Sequence, residues 1–184
     1  MYLFLNMSEI FQKIYNCLDG KFPEDINKDN NKAIIDNYNV NQFNKDIPRE
    51  NMAIQYNFKL DDFQKRAVYR IKNFQNVFIA AHTSSGKTLA AEYAIAQSLM
   101  LNKRCVYTSP IKALSNQKYR DFREKFNDNK YELDNIDTVG IITGDIQVNP
   151  GASCLVMTTE ILRSMIYKMD PYLNEVDWII FDEI

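Results

Sequence analysis

The sequence lacks the features that would assign several common protein classes. No apolar run approaches the ~18 residues needed to cross a bilayer. The opening MYLFLN is too short for a signal-peptide core, lacks a basic start and soon meets Glu9. These absences read as a soluble, intracellular chain with no membrane partner. Cysteine is scarce: Cys17, Cys105 and Cys154 are an odd number without metal-like spacing, and the last two sit in apolar runs. That fits buried free thiols in a reducing compartment. The single histidine, His82, offers no support for zinc; within its loop it reads as a backbone-shaping residue rather than a base. Basic excess is also missing. With 22 Lys and Arg against 24 Asp and Glu, the net charge is −2. Any contact with a polyanion must therefore come from a local patch or from backbone groups. No internal repeat is visible.

What is present is globular. The chain has 184 residues, 46% of them apolar and 25% charged, enough for one ordinary domain with a sizeable core. Residues 1–20 carry apolar side chains at three- and four-residue steps (Leu3, Phe4, Met7, Ile10, Phe11, Ile14, Tyr15, Leu18) and end on Gly20, which predicts an amphipathic helix. Residues 21–52 are rich in Asn, Asp and Lys and read as a mobile polar linker. From residue 53 to 184 apolar strands alternate with helical patterns. Strands are expected at 77–81, CVYTS, TVGIIT, CLVMT and VDWIIFDE, with helices over Phe63–Phe74 and near 87–101, 112–126 and 159–168. This alternation predicts an α/β domain with a parallel sheet covered by helices on both faces. Ligands of such sheets lie beyond the carboxyl ends of the strands. AAHTSSGKT, TSPIKA, TGD, TTE and DE all fall there.

Ala81, Gly86, Lys87 and Thr88 fit a P-loop, with Ala in place of its first glycine. Thr83, Ser84, Ser85 and Gly86 are small, so backbone N–H groups can converge on phosphate oxygens at a helix start. Lys87 would reach the β- and γ-phosphates of ATP, and the Thr88 hydroxyl would ligate Mg²⁺. Asp182 and Glu183 follow WIIF, the profile of a buried strand delivering two carboxylates to the active edge, about 95 residues after Lys87. In a P-loop ATPase the Asp holds Mg²⁺, commonly through water, and the Glu orients and deprotonates the attacking water. Lys87, Asp182 and Glu183 are thus the candidate catalytic residues, with Thr88 and Asp182 as candidate metal ligands.

YTSPIKALSNQKYRDF and ITGDIQVNPGASCLVMTTEILRSMIY resemble the superkiller-type DExH-box RNA helicases of superfamily two, over about Phe58 to Ile184. The resemblance implies a RecA-like domain of an ATP-driven, exosome-associated motor that moves 3′ to 5′ on single-stranded RNA, with the RNA exosome and its accessory subunits as partners. FKLDDFQ resembles the family's adenine-reading segment, which implies Phe58 against the base and Gln64 on its edge. TSPIKALSNQ, TGD and TTEILRS resemble its RNA-backbone motifs and implicate Thr108, Pro110, Lys112, Asn116, Gln117, Thr143, Gly144, Thr158, Thr159 and Arg163. The residue types agree independently: hydroxyl, amide and glycine groups on strand-end loops suit sequence-blind phosphate and 2′-OH contacts. Lys112 and Arg163 would supply the local positive charge. Ser, Thr and Asn at helix starts are also ordinary N-caps, so each position has a purely structural alternative.

The sequence departs from the family pattern in places. Asn57 stands where Pro is usual and Ser85 where Ala is usual, while Asn127–Asp137 reads as a surface insertion. The family motif Asp-Glu-x-His is cut before its histidine. The expectation is therefore an N-terminal fragment ending inside its first RecA-like domain, unable by itself to turn over ATP or unwind RNA. Its sheet would have an unpaired flank prone to aggregation. The stretches VFIAAHTS and YTSPIKALSNQKYRDFR resemble the cytoplasmic superkiller branch more than its nuclear exosome-cofactor sister. Two alternatives are a DNA helicase of the same superfamily and a short nucleotide- or RNA-binding protein without turnover.

Overall fold

The computed structural model describes residues 2–6 (backbone), 35–82, 85–126 and 138–183. Its strands are β1 (Tyr2–Asn6), β2 (Val77–Ile79), β3 (Arg104–Ser109), β4 (Val139–Ile142), β5 (Gln147–Val148), β6 (Cys154–Thr158) and β7 (Val176–Asp182). They form one sheet in the order β2-β1-β7-β3-β6-β4-β5. The helices are α1 (Phe43–Asp46), α2 (Asp62–Lys72), α3 (Thr88–Met100), α4 (Lys112–Phe126) and α5 (Thr159–Tyr167). The strands β7, β3, β6 and β4 run parallel as neighbours. The α/β class read from the strand–helix alternation is the class observed. Its parallel centre carries two antiparallel additions, β5 against β4 and β1 between β2 and β7.

The continuous apolar runs are explained by burial on both faces, because successive side chains of a strand point to opposite sides. On one face Cys105, Tyr107, Cys154, Val156, Trp178 and Ile180 pack with α2, α3 and α4. On the other, Val106, Leu155, Met157 and Ile179 pack with Leu162 and Met165 of α5. Helix α3 is buried along nearly its whole length, from Leu89 to Leu99, as expected of a helix that is apolar all round. Cys105 and Cys154 face each other across β3 and β6, buried and unbridged. The hydrogen bond with the neighbouring Cys154, followed by burial, pushes the Cys105 thiol well up.

The N-terminal third departs from expectation. Residues 2–6 form a strand, not the start of a helix; the rest of the expected helix, 7–20, lies outside the described residues, as do 21–34, Thr83, Ser84 and the insertion 127–137. The short apolar run YLFLN can read either way, and pairing on both sides decides for the strand. The second half of the expected linker is not a linker. Phe43 and Ile47 are buried in the main core, Tyr38 stacks on Tyr69 of α2 at 3.7 Å, and the Arg70 guanidinium donates to both oxygens of Asp36. The expected unpaired flank of β7 is also absent: β3 pairs with one side and β1 with the other.

Candidate active site

The register places the candidate residues on one edge. Ser109 lies opposite Thr158, Ile142 opposite Met157, and Thr108 opposite Phe181. The carboxyl ends of β3, β4, β6 and β7 therefore end together. Strand β2 runs parallel to β7, because both are antiparallel to β1, and Tyr2 stands between Ile79 and Asp182. The loop after β2 thus opens on the same edge as the carboxylates.

Within that loop Gly86 has a left-handed backbone (φ 79°), and a Cβ there would meet the Gln64 amide nitrogen at 2.7 Å. Glycine is favoured there by its conformation, and a side chain would also push the Gln64 amide aside. Lys87 begins the turn into α3, and its Nζ donates to the carbonyls of Ala81 (2.7 Å) and His82 (2.6 Å). The His82 carbonyl also accepts from the Ser85 N–H at 3.2 Å, so His82 shapes the loop through its backbone. The Ser85 hydroxyl is buried with no hydrogen-bond partner. An orphan hydroxyl beside a lysine and a helix start fits a phosphate group. Thr88 occupies the first residue of α3. The hydroxyl of Thr88 and the carboxylate of Asp182 are hard oxygen donors of the kind Mg²⁺ takes. Among the described residues there is no cluster of three or more His, Cys, Asp or Glu that could hold a metal ion unaided.

Gln64 joins this loop to α2. Its Oε1 accepts from the Asp61 N–H at 2.9 Å, completing a capping box, and its Nε2 donates to the Gly86 carbonyl at 3.4 Å. Phe58 is 61% exposed and lies tilted against Tyr56 at 5.5 Å. The two rings border a cavity of about 230 Å³ that is also lined by Phe43, Ile47, Arg49 and Met52. Arg49 donates to the Tyr56 carbonyl, and the Tyr56 hydroxyl donates to the Leu89 carbonyl of α3. The segment around residues 43–52 therefore builds the surroundings of Phe58. The Asn-rich composition hides this, and only the spacing of Phe43 and Ile47 signals it.

At the end of β7 the two carboxylates differ. Asp182 is buried and accepts a short hydrogen bond from the buried Tyr107 hydroxyl of β3, whereas Glu183 is exposed, with a left-handed backbone (φ 54°). A non-glycine residue in that region is uncommon and is found disproportionately at functional sites.

The ten positions implicated in RNA contact separate into two groups. Pro110, Lys112, Gln117, Gly144, Thr159 and Arg163 are exposed and Asn116 is half-buried. Arg163 lies over the Tyr167 ring at 5.5 Å. Thr108, Thr143 and Thr158 are buried. The Thr108 hydroxyl donates to the Ile180 carbonyl, and that of Thr143 accepts from the Ile146 N–H. The first hydroxyl ties β3 to β7 and the second closes the turn after β4, so both are engaged internally rather than toward a surface ligand. Lys112 bonds both oxygens of Asp145 at 2.6 and 2.8 Å, a partner that sequence reasoning did not single out. Among the described residues no helix is long and apolar enough to cross a membrane.

Known proteins resemble this chain over most of its length. The chain is 51% identical to "Antiviral helicase SKI2" of Saccharomyces cerevisiae over 148 residues, which are 80% of this chain and 11% of that protein. It is 50% identical to human "Superkiller complex protein 2" over 145 residues (79% and 11%). It is 54% identical to human "Exosome RNA helicase MTR4" over 132 residues (72% and 12%). The chain thus spans only about a tenth of the length of these relatives. A family model described as "DEAD/DEAH box helicase" matches residues 61–184, from the N-cap of α2 through both carboxylates; the chain belongs to the DEAD/DEAH box helicase family.

Proposed function

We propose that this chain is the ATP-binding and RNA-contacting part of the first RecA-like domain of an ATP-dependent RNA helicase. The observation that carries the reading is the convergence on one sheet edge of the Lys87 loop, the Asp182–Glu183 pair and the loops after β3, β4 and β6. DEAD/DEAH helicase domains use ATP with Mg²⁺ in general. In this chain Thr88 and Asp182 would hold Mg²⁺, which when bound neutralises charge on the β- and γ-phosphates. Lys87 would exchange its loop carbonyls for phosphate oxygens. The backbone at Ser85, Gly86 and the start of α3 would donate to them, with Thr83 and Ser84 of the same loop. Phe58 would flank the adenine and Gln64 would read its edge. Glu183, exposed beside the buried Asp182, would orient the attacking water.

The whole protein would translocate 3′ to 5′ on single-stranded RNA in company with the RNA exosome. We place it in the cytoplasmic superkiller branch, on the stretches VFIAAHTS and YTSPIKALSNQKYRDFR, with the nuclear branch as the alternative. Turnover and unwinding are proposed for that whole protein, and nucleotide and RNA binding for this chain.

The test is binding of a fluorescent ATP analogue to the 184-residue chain, with and without Mg²⁺. Binding that needs Mg²⁺ and is abolished by Lys87→Ala is the expected result; binding indifferent to Lys87→Ala would overturn the assignment. Stimulation of the whole protein's ATPase by single-stranded RNA, and not by DNA of the same sequence, would separate an RNA motor from a DNA motor.

A further inference from the structure

Two of the loops assigned to RNA are tied to each other. Lys112, at the first turn of α4, reaches across the turn after β4 and grips the Asp145 carboxylate through both oxygens. The path passes directly over Gly144: a Cβ there would stand 3.3 Å from the Lys112 Nζ and 3.5 Å from its Cε. The turn that carries Asp145 is itself held, since Thr143 donates its N–H to the Ile146 carbonyl and accepts the Ile146 N–H on its hydroxyl. Asp145 is therefore presented at the tip of a fixed turn, opposite the lysine implicated in phosphate contact.

We propose that Asp145 limits the affinity of this edge for single-stranded RNA by competing with the phosphate backbone for Lys112. The inference rests on the RNA-binding reading of that edge. The side chains of Lys112 and Asp145 are 51% and 67% exposed, so water screens the pair and an exchange of partner is cheap. A phosphate that takes Lys112 must displace the carboxylate. It must then also sit within a few ångströms of that negative charge, which the fixed turn cannot carry far away. Both effects lower affinity, and both act through charge rather than shape. A site that has to release its strand once per step is served by such an internal competitor.

Asp145→Asn keeps the shape and removes the charge. The expected result for the 184-residue chain, titrated into a fluorescently labelled oligouridylate, is binding about two- to tenfold tighter than wild type at low salt, the range set by loss of one exposed charge pair and one repulsion. The gain should shrink between about 50 mM and about 200 mM salt. In a Lys112→Gln background the same substitution should gain markedly less, because the lysine it releases is gone. If instead the pair is a staple holding the two loops in place, Asp145→Asn weakens binding, and that sign overturns the proposal. Unchanged binding, or a gain of the same size without Lys112, overturns it as well. Failure of wild type and all variants to bind the oligouridylate would sink the RNA reading of this edge and the proposal with it. Measurable wild-type binding with no effect of Asp145→Asn would sink the proposal alone. Equal melting temperatures of wild type and Asp145→Asn would show that the comparison is between equally folded proteins.

Discussion

Substituting Tyr107 by Phe removes one oxygen atom from the interior and leaves the ring in place. The ring is fully buried and packs edge-on against Phe122 of α4 at 5.0 Å, so the packing survives. What is lost is the hydroxyl that donates to the buried Asp182 carboxylate. A hydrogen bond to a charged group is worth about 1.5–3 kcal/mol, and the carboxylate oxygen left behind is 6% exposed as a residue and poorly placed to recover its loss from water. In a protein of this size each kcal/mol moves the melting point by about 2–4 °C, so the midpoint should fall by about 3–12 °C. The same bond orients one of the two proposed Mg²⁺ ligands. Groups that hold metal-ligating carboxylates in place typically cost about 10–100-fold in metal affinity when removed. Tyr107→Phe should therefore raise the Mg²⁺ concentration needed for nucleotide binding by a factor in that range, while nucleotide affinity at saturating Mg²⁺ stays close to wild type. Thermal denaturation and a Mg²⁺ titration of nucleotide binding measure the two effects separately. A stability change below about 0.5 kcal/mol together with an unmoved Mg²⁺ dependence would refute the argument that Tyr107 holds Asp182.

Three further outcomes follow from the packing of the N-terminal region. Phe43→Ala should cost about 3–5 kcal/mol in urea unfolding, because Phe43 is 3% exposed within the main core; a cost near zero would mean that this segment is not part of the domain. Asp36 has its carboxyl held below the usual value of 3.8, chiefly by the hydrogen bond from Arg70. The stability it adds is therefore present above about pH 4 and is lost as pH falls through its lowered folded value, so Asp36→Asn should be less stable than wild type at neutral pH and converge with it in acid. Leu3 stands opposite Phe181 in the β1–β7 register, at the ~4.5–5.5 Å Cα spacing of directly opposed antiparallel residues. The double variant Leu3→Cys with Phe181→Cys should oxidise to an intrachain disulfide, mapped by mass spectrometry; a disulfide-linked dimer or no bridge would argue against the placement of β1.

The parallel centre of the fold was legible because its strands are buried on both faces and so read as unbroken apolar runs, set between helices with clear periodicity. CLVMT and the helix at 112–126 were read with the bounds the structure shows. The antiparallel strands were not legible. QV is two residues long, below any periodic signal, and YLFLN blends into a longer helical pattern that local sequence cannot arbitrate. The polar composition of 35–52 gives it the signature of a linker. Its contribution to the core comes from a few side chains, Phe43 and Ile47 foremost, and from the Asp36–Arg70 pair, whose members are 34 residues apart. Motif spacing proposes the candidate site residues, but not their partners: Tyr107 and Asp145 fall within YTSPIKA and TGD without any role being assigned to them.

Those partners share a physical consequence. Several of the groups that would meet a ligand are already engaged within the chain: Lys87 on the Ala81 and His82 carbonyls, Gln64 on the Gly86 carbonyl and the Asp61 N–H, and Lys112 on Asp145. Binding is then an exchange of partners, and its free energy is a difference between bonds made and bonds given up. For Lys87 the exchange is favourable, because two neutral carbonyls give way to charged phosphate oxygens, and charge-assisted bonds are roughly twice as strong as neutral ones. For Lys112 it is close to balanced, because one anion replaces another. Nucleotide should therefore be held firmly and RNA loosely by the same domain edge, an ordering that follows from what each lysine releases rather than from how many contacts each ligand makes.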